Sequence, residues 1–326
     1  MNEAWSQVAV IIPCFREKKM ILEVISRTLE YPVQIYVIDD SCPESTGDFV
    51  LSNCNSERVK VIKHAKNKGV GGAVKTGYQA ALIDGYQVLI KIDGDLQMDP
   101  NFLPKFIDPI IRGDADYTKG NRFYYLDGLL RMPRIRLIGN IMLSFLTKAS
   151  SGYWNIFDPT NGYTGLHAAL LTPIQISKVD DGFFFESDML FRLNIARAKV
   201  IDIPIPIAYG NEKSSLSIKR IFMPFIFKNL RNFVKRIFYT YLIRNFSVAT
   251  IELMLGFFMV CFGLYFGVTT WIESAESGQL ASTGSIMLSA LPIIIGSQML
   301  FSFLTYDLSN EPKNSVHNNI HSWNNN

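Results

Sequence analysis

Two aspartates separated by one glycine, Asp93-Gly94-Asp95, follow directly on an aliphatic run at residues 88–92. Two carboxylates held at the end of a strand suit Mg2+ or Mn2+. Such ions take one or two protein carboxylates and complete their shell with phosphate and water. Gln97 adds a neutral oxygen close by. The spacing alone is weak, because acids also gather in solvated turns such as Asp180-Asp181-Gly182, and the position behind a strand is what gives the motif weight. Asp39-Asp40 closes a second aliphatic run, 35–38, where an acid can accept hydrogen bonds from a nucleobase N–H or a ribose hydroxyl. A helix N-cap formed by Asp40 or Ser41 is an equally open use of the same residues. Arg122, in Lys119-Gly120-Asn121-Arg122, can grip a phosphate with both arms of its guanidinium, although a lone arginine is also an ordinary surface residue.

These groups need a scaffold that brings strand ends together. Short β-branched runs at 8–12, 35–38, 59–62 and 88–92 alternate with segments of helical length at 17–30, 44–54 and 71–84, and a further strand is expected at 116–119. The alternation predicts an α/β fold with parallel strands and crossover helices, whose ligands collect at the carboxyl ends of the strands. A dinucleotide-binding domain fails at the first turn, where Pro13-Cys14-Phe15 stands in place of a glycine-rich loop. The later glycine-rich stretch, Asn67-Lys68-Gly69-Val70-Gly71-Gly72-Ala73, has Val74 where a third spaced glycine belongs and has no Gly-Lys-Ser/Thr.

The chain has 326 residues, 48% of them apolar and 19% charged, which excludes disorder and a purely soluble protein. Residues 246–306 carry no charge except Glu252, Glu273 and Glu276, and the uncharged stretches 253–272 and 283–306 are each long enough to span about 30 Å of hydrocarbon. Before them stand Lys219, Arg220, Lys228, Arg231, Lys235, Arg236 and Arg244, with no acid between 218 and 251, whereas the connection 273–285 has no Lys or Arg. This asymmetry predicts a cytoplasmic large domain. Residues 218–245 read as interfacial amphipathic helices, each cation adding about 1 kcal/mol near an anionic leaflet; a helix packed on the large domain is the alternative. The formal charge of the whole chain is only +3 and its basicity is local to this segment, which gives no reason to expect nucleic acid as a partner. Cys14, Cys42, Cys54 and Cys261 form no C-x-x-C pair and are expected to be reduced, buried thiols, and the N-terminus shows no signal peptide. The expected division is a catalytic domain over 1–217, interfacial helices over 218–245, two spans over 246–308 and a short polar tail over 309–326.

Taken in order, Ile11-Ile12-Pro13-x-x-x-Glu17, Ile38-Asp39-Asp40-Ser41, Asn67-x-Gly69-x-Gly71, Asp93-Gly94-Asp95-Leu96-Gln97, Gly120-Asn121-Arg122 and Asp158-Pro159-Thr160-Asn161-Gly162-Tyr163 resemble glycosyltransferase family 2. With the two C-terminal spans the chain is most similar to polyprenyl-phosphate hexose synthases. The resemblance implies a GT-A fold and an inverting, Mg2+- or Mn2+-dependent transfer of a hexose from a nucleotide sugar to polyprenyl phosphate. A UDP-sugar is favoured as donor over GDP-mannose, and the bacterial inner membrane is the implied location. It places Pro13 and Glu17 at the nucleoside, Asp40 at the base, Asp93, Asp95 and Gln97 on the metal, Arg122 at phosphate and Asp158 at the reaction centre. It puts Glu186-Ser187-Asp188 beside the acceptor, with Glu186 as a solvent-facing structural acid the alternative. Lys213, where relatives often use Arg, would meet the lipid phosphate. Arg16, Ser41-Cys42-Pro43 and Tyr163-Thr164 depart from the usual pattern and leave the donor sugar and base open.

A lipid monophosphate has its second pKa near 6, so its attacking oxygen needs no strong base, and Asp158 is expected to orient a group or bind a sugar hydroxyl. Three readings compete. One is a family 2 enzyme acting on another lipid such as diacylglycerol. A polysaccharide synthase would bring a Gln-x-x-Arg-Trp motif, which this chain lacks, and a nucleotidyltransferase would bring a glycine-rich loop after the first strand. Nothing in the sequence excludes a homo-oligomer.

Overall fold

The computed structural model describes residues 3–124, 134–206 and 218–323. The described chain divides into two units, 1–234 with 312–326, and 235–311.

The first unit is built on a seven-stranded mixed sheet. β1 (Val8–Cys14) is buried along its whole length, as an unbroken aliphatic run covered on both faces must be. It pairs in parallel with β2 (Gln34–Asp39) and β4 (Val88–Lys91), and β2 pairs with β3 (Val59–Lys63). Pro13 is tolerated in this central strand because the β1–β4 register stops at Ile11 opposite Lys91, and the last bond runs from Ile92 N–H to Ile11 O. The proline's missing N–H therefore falls beyond the end of the ladder. The helices between these strands are α1 (Ile21–Thr28), α2 (Thr46–Asn53) and α3 (Val70–Ile83), each inside its expected range to within a residue. α4 (Leu103–Ile111) leads to β5 (Tyr117–Asn121).

Beyond the four parallel strands, β6 (Thr164–His167) enters antiparallel to both β4 and β5, while β7 (Val200–Pro204) returns parallel to β5. α5 (Arg134–Ser151) and α6 (Phe185–Ile195) belong to this half, and α7 (Ile218–Ile237) continues the first unit as far as residue 234. The part of α7 in this unit buries two asparagines beside Phe225 and leaves several apolar side chains outside. Asn229 accepts from Ser150 Oγ at 2.6 Å and Asn232 donates to Asp188 at 2.8 Å, both buried, while Phe227, Leu230 and Val234 are exposed. Ile141, Met142 and Phe145 of α5 are exposed as well.

The second unit holds α8 (Val248–Ser277) and α9 (Thr283–Ser309), both long and apolar enough to cross a membrane. They pack closely at Gly256 and Gly296, where a side chain on either would meet the other's backbone, and Ser289 donates to Gly263 O at 3.0 Å. A buried pair, Arg236 to Asp307 at 2.6 and 3.0 Å, ties the segment before α8 to the end of α9. Cys14 and Cys42 are buried and Cys54 is half-buried, but Cys261 is exposed on α8. The expectation of four buried thiols is corrected there, because the outer faces of an apolar hairpin have no protein to cover them.

The segment after α9 belongs again to the first unit and ends in α10 (His317–Trp323). Asp116, fully buried just before β5, accepts from the amides of Val316, His317 and Lys199 and lies 2.6 Å from His317 Nδ1. His167 stacks on the His317 ring at 4.1 Å. This dock sits at the end of β5 opposite Arg122.

Candidate active site

The carboxyl ends of β1, β2, β4 and β5 and the loop entering β6 converge on one edge of the sheet. Asp93 follows β4 and Asp95 follows in a turn in which Leu96 adopts φ +62° and Gln97 N–H donates to Asp95 Oδ1 at 3.0 Å. Gly94 has no room for a side chain, which would strike Glu17 Oε2. Glu17 Oε2 is buried with no hydrogen-bond partner among the described residues. Burial, reinforced by the charges of Asp93 and Asp95, pushes the Glu17 carboxyl up to about 9, against the opposing pull of the Gly94 amide and Lys91. Asp93 and Asp95 thus flank Gly94, the Glu17 carboxyl lies against that glycine, and the Gln97 amide is exposed two residues further on. An orphaned acid oxygen among them marks a place short of positive charge, which fits a divalent cation. No set of three His, Cys, Asp or Glu stands at full ligand spacing among the described residues, in keeping with ions that take most of their shell from phosphate and water.

Asp39 and Asp40 are both committed to the fold. Asp39 accepts from the amides of Cys42 at 2.7 Å and Gly47 at 2.6 Å, so it, and neither Asp40 nor Ser41, satisfies the first turn of α2. Asp40 Oδ1 lies 2.7 Å from His64 Nδ1 and accepts from Lys68 N–H at 2.8 Å, while Oδ2 accepts from Gly69 N–H at 2.8 Å. Asp40 therefore anchors the loop that opens α3. The glycines of that loop do not cradle phosphate: Gly72 N–H donates to Asp181 O at 3.1 Å, and a side chain at Gly71 would stand 2.4 Å from Asp180 O. In the Asp180–Gly182 turn Asp180 is half-buried and pairs with Lys228, while Asp181 is exposed to solvent and pairs with Lys75.

Arg122 and Asp158 meet each other. Arg122 Nε donates to Asp158 Oδ2 at 2.7 Å and its Nη2 to Oδ1 at 3.2 Å, with Asp158 fully buried and Arg122 partly exposed. Asn161 Nδ2 adds a contact to Asp158 Oδ2 at 3.3 Å. Asp158 is thus a positioning group for the guanidinium. Tyr163 stacks on Phe106 at 3.9 Å. Glu186, in the first turn of α6, is buried and faces inward, which corrects the alternative of a solvent-facing acid: Lys91 Nζ lies 3.2 Å from Glu186 Oε1 and 2.9 Å from Asp93 Oδ1. Ser187 pairs with Thr147 and Asp188 with Arg192 and Asn232. Pro13 lies buried at the end of β1. Lys213 lies outside the described residues.

Three site groups escaped the sequence reading. Lys91 and Lys119 are fully buried cations; Lys119 donates to Asn161 O at 2.6 Å, and burial lowers its pKa to about 8 against the opposing charges of Glu186 and Asp158. A lysine inside an aliphatic strand was a usable signal in both cases. Asp202 on β7 accepts from Phe157 N–H at 2.9 Å and Asn121 Nδ2 at 3.0 Å, and burial raises it to about 6. Nothing near it in sequence marks it.

A mixed sheet with β6 reversed, carrying acids and one bound arginine along its carboxyl edge, defines a GT-A glycosyltransferase. The chain belongs to Glycosyl transferase family 2, whose profile matches residues 9–172. It is 31% identical to a UDP-N-acetylglucosamine–dolichyl-phosphate N-acetylglucosaminyltransferase of Methanococcus voltae over 49% of this chain and 68% of that one. It is 29% identical to the polyprenol monophosphomannose synthase of Mycolicibacterium smegmatis over 60% and 75%. An undecaprenyl-phosphate mannosyltransferase of Micrococcus luteus is 27% identical over 61% and 82%. Glucosyl-3-phosphoglycerate synthase of Mycobacterium tuberculosis, solved with UDP, shares the fold with a TM-score of 0.52 at 16% identity, over 72% of this chain and 83% of that one.

Proposed function

We propose that this glycosyltransferase moves a hexose, with inversion, from a nucleotide sugar to polyprenyl phosphate. The observation that carries the proposal is the Asp93-Gly94-Asp95 turn beside Arg122, in a chain whose α7 turns apolar side chains outward just before two candidate spans. Asp93 and Asp95, with Gln97, are the residues to hold Mg2+ or Mn2+, which when bound offsets the charge of the leaving diphosphate. Arg122, held by both arms on Asp158, keeps its exposed side for phosphate and cannot swing away. Pro13 and Glu17 line the nucleoside, and Asp40 shapes that pocket by fixing Lys68 and Gly69 beneath it. The acceptor phosphate is largely ionised at neutral pH, so the residues here have to gather anions and exclude water, with no proton to remove. Lys213 is the proposed cation for that phosphate.

The catalytic part is assigned to 1–217, the headgroup contact to 218–245 and the spans to 246–308, with the catalytic side cytoplasmic. The cation-rich, acid-free stretch 218–251 supports that orientation. The relatives named for dolichyl, polyprenol and undecaprenyl phosphate support the acceptor class.

The deciding experiment incubates the purified full chain with UDP-glucose, UDP-N-acetylglucosamine or GDP-mannose and undecaprenyl phosphate, with and without Mn2+, and follows the glycolipid by mass spectrometry. One donor should give a metal-dependent phosphoglycolipid. Equal activity on undecaprenol or diacylglycerol refutes the acceptor.

A further inference from the structure

The charge at the donor site hangs on one lysine. Lys91 ends β4 two residues before Asp93 and is 1% exposed, so its ammonium has to be balanced inside the protein. Two carboxylates from opposite walls share it: Asp93 Oδ1 at 2.9 Å, from the turn after β4, and Glu186 Oε1 at 3.2 Å, from the first turn of α6. The neighbouring cations have closer partners of their own, Arg122 on Asp158 and Lys119 on the carbonyl of Asn161, while the charges of Asp93 and Glu186 also reach them. Gly162 keeps the space above the ammonium open, since a side chain there would collide with Lys91 Nζ. Asp93 is the more open of the two acids, its side chain 30% exposed against 10% for Glu186.

We propose that Lys91 is a shared counter-ion whose division between Asp93 and Glu186 sets how strongly the Asp93-Gly94-Asp95 turn takes up a divalent cation. This rests on the reading that Asp93 and Asp95 hold that cation. An ammonium resting on Asp93 competes with an incoming ion for the same oxygen and repels it. Glu186 draws the ammonium back and frees Asp93. Lys91 is then a positioning residue of the donor site, and Glu186, on the far wall, acts on the donor site through it.

The two walls predict opposite signs. Mn2+ alone is titrated into the detergent-solubilised full chain, and free Mn2+ is read from its EPR signal. Lys91→Met should bind Mn2+ about fivefold tighter than wild type, Lys91→Arg should stay within about twofold, and Glu186→Gln should bind about fivefold more weakly. In the Lys91→Met background, Glu186→Gln should change the Kd by less than about twofold, because the lysine that links them is gone. Residues that merely hold the fold would weaken binding alike in both variants, in step with a lower melting temperature. Lys91→Met leaves two buried carboxylates without a cation and can misfold, whereas Glu186→Gln strands no charge. An Mn2+ affinity in Glu186→Gln that is unchanged or higher overturns the proposal by itself. If wild type shows no Mn2+ uptake that Asp95→Asn removes, the metal reading falls and this inference with it; if Asp95-dependent uptake is present but the variants do not order as stated, only the counter-ion role falls.

Discussion

Asp95 and Asp202 show how differently two acids are used within one site. Asp95 lies half-buried in a turn with a strained Leu96 beside it, and it contributes to no core packing. Replacing it by Asn should leave the melting temperature within a few degrees of wild type and lower transfer by at least about a hundredfold, roughly 2.7 kcal/mol at the transition state. Activity within about tenfold at saturating Mn2+ removes Asp95 from the metal. Asp202 works the other way, as a half-buried anchor whose folded pKa, about 6, stands above the usual carboxylate value. The fold thus favours its protonated form, and the stability this confers is present at low pH and lost as pH rises from about 4 through 6. Asp202→Asn removes that slope. The melting temperature at pH 4.5 minus that at pH 7 should therefore be lower in the variant than in wild type; an equal or higher value contradicts the assignment.

Between the elements, the glycine-rich start of α3 is a packing device. Gly71 lets the backbone of Asp180 and the ring of Phe185 come against the helix, at 2.4 and 2.8 Å from where a side chain would begin. Phe185 opens α6 and Glu186 follows it, so Gly71→Ala should cost about 1–3 kcal/mol and loosen the Glu186 to Lys91 contact from a distance. A melting temperature unchanged by Gly71→Ala contradicts this packing. β1 to β4 and the polar groups at their ends were legible because buried parallel strands are continuous aliphatic runs bounded by abrupt polarity. β6 was not, since Thr164-Gly165-Leu166-His167 is four residues long with a glycine and a histidine in it, and only its two neighbours make it a strand. The pairing of Arg122 with Asp158 was equally hidden: each residue was singled out alone, but a contact across 36 positions is a property of the fold. The contacts of Asp40 were hidden for the same reason, because its hydrogen-bond partners at 64, 68 and 69 lie in a loop whose path no local pattern reveals.

For the molecule as a whole, the return of the chain is the informative feature. The backbone leaves the first unit after residue 234 and rejoins it at 312, where the amides of Val316 and His317 are bound by the buried Asp116. A chain that departs from a folded unit and comes back to it can cross a bilayer only an even number of times, which matches the two candidate spans α8 and α9. In the proposed topology both ends of the hairpin lie on one side of the bilayer and the connection around Gly278 and Gln279 on the other. With Lys and Arg concentrated before α8 and absent from 273–285, the proposed orientation puts the first unit on the cytoplasmic side. In cells carrying the otherwise cysteine-free chain, an impermeant maleimide should label Gln279→Cys from outside, while Asn314→Cys should react only after the membrane is opened. Labelling of Asn314→Cys in intact cells, with Gln279→Cys protected, inverts the orientation. Labelling of both in intact cells breaks the hairpin and with it the return of residues 312–323 to Asp116.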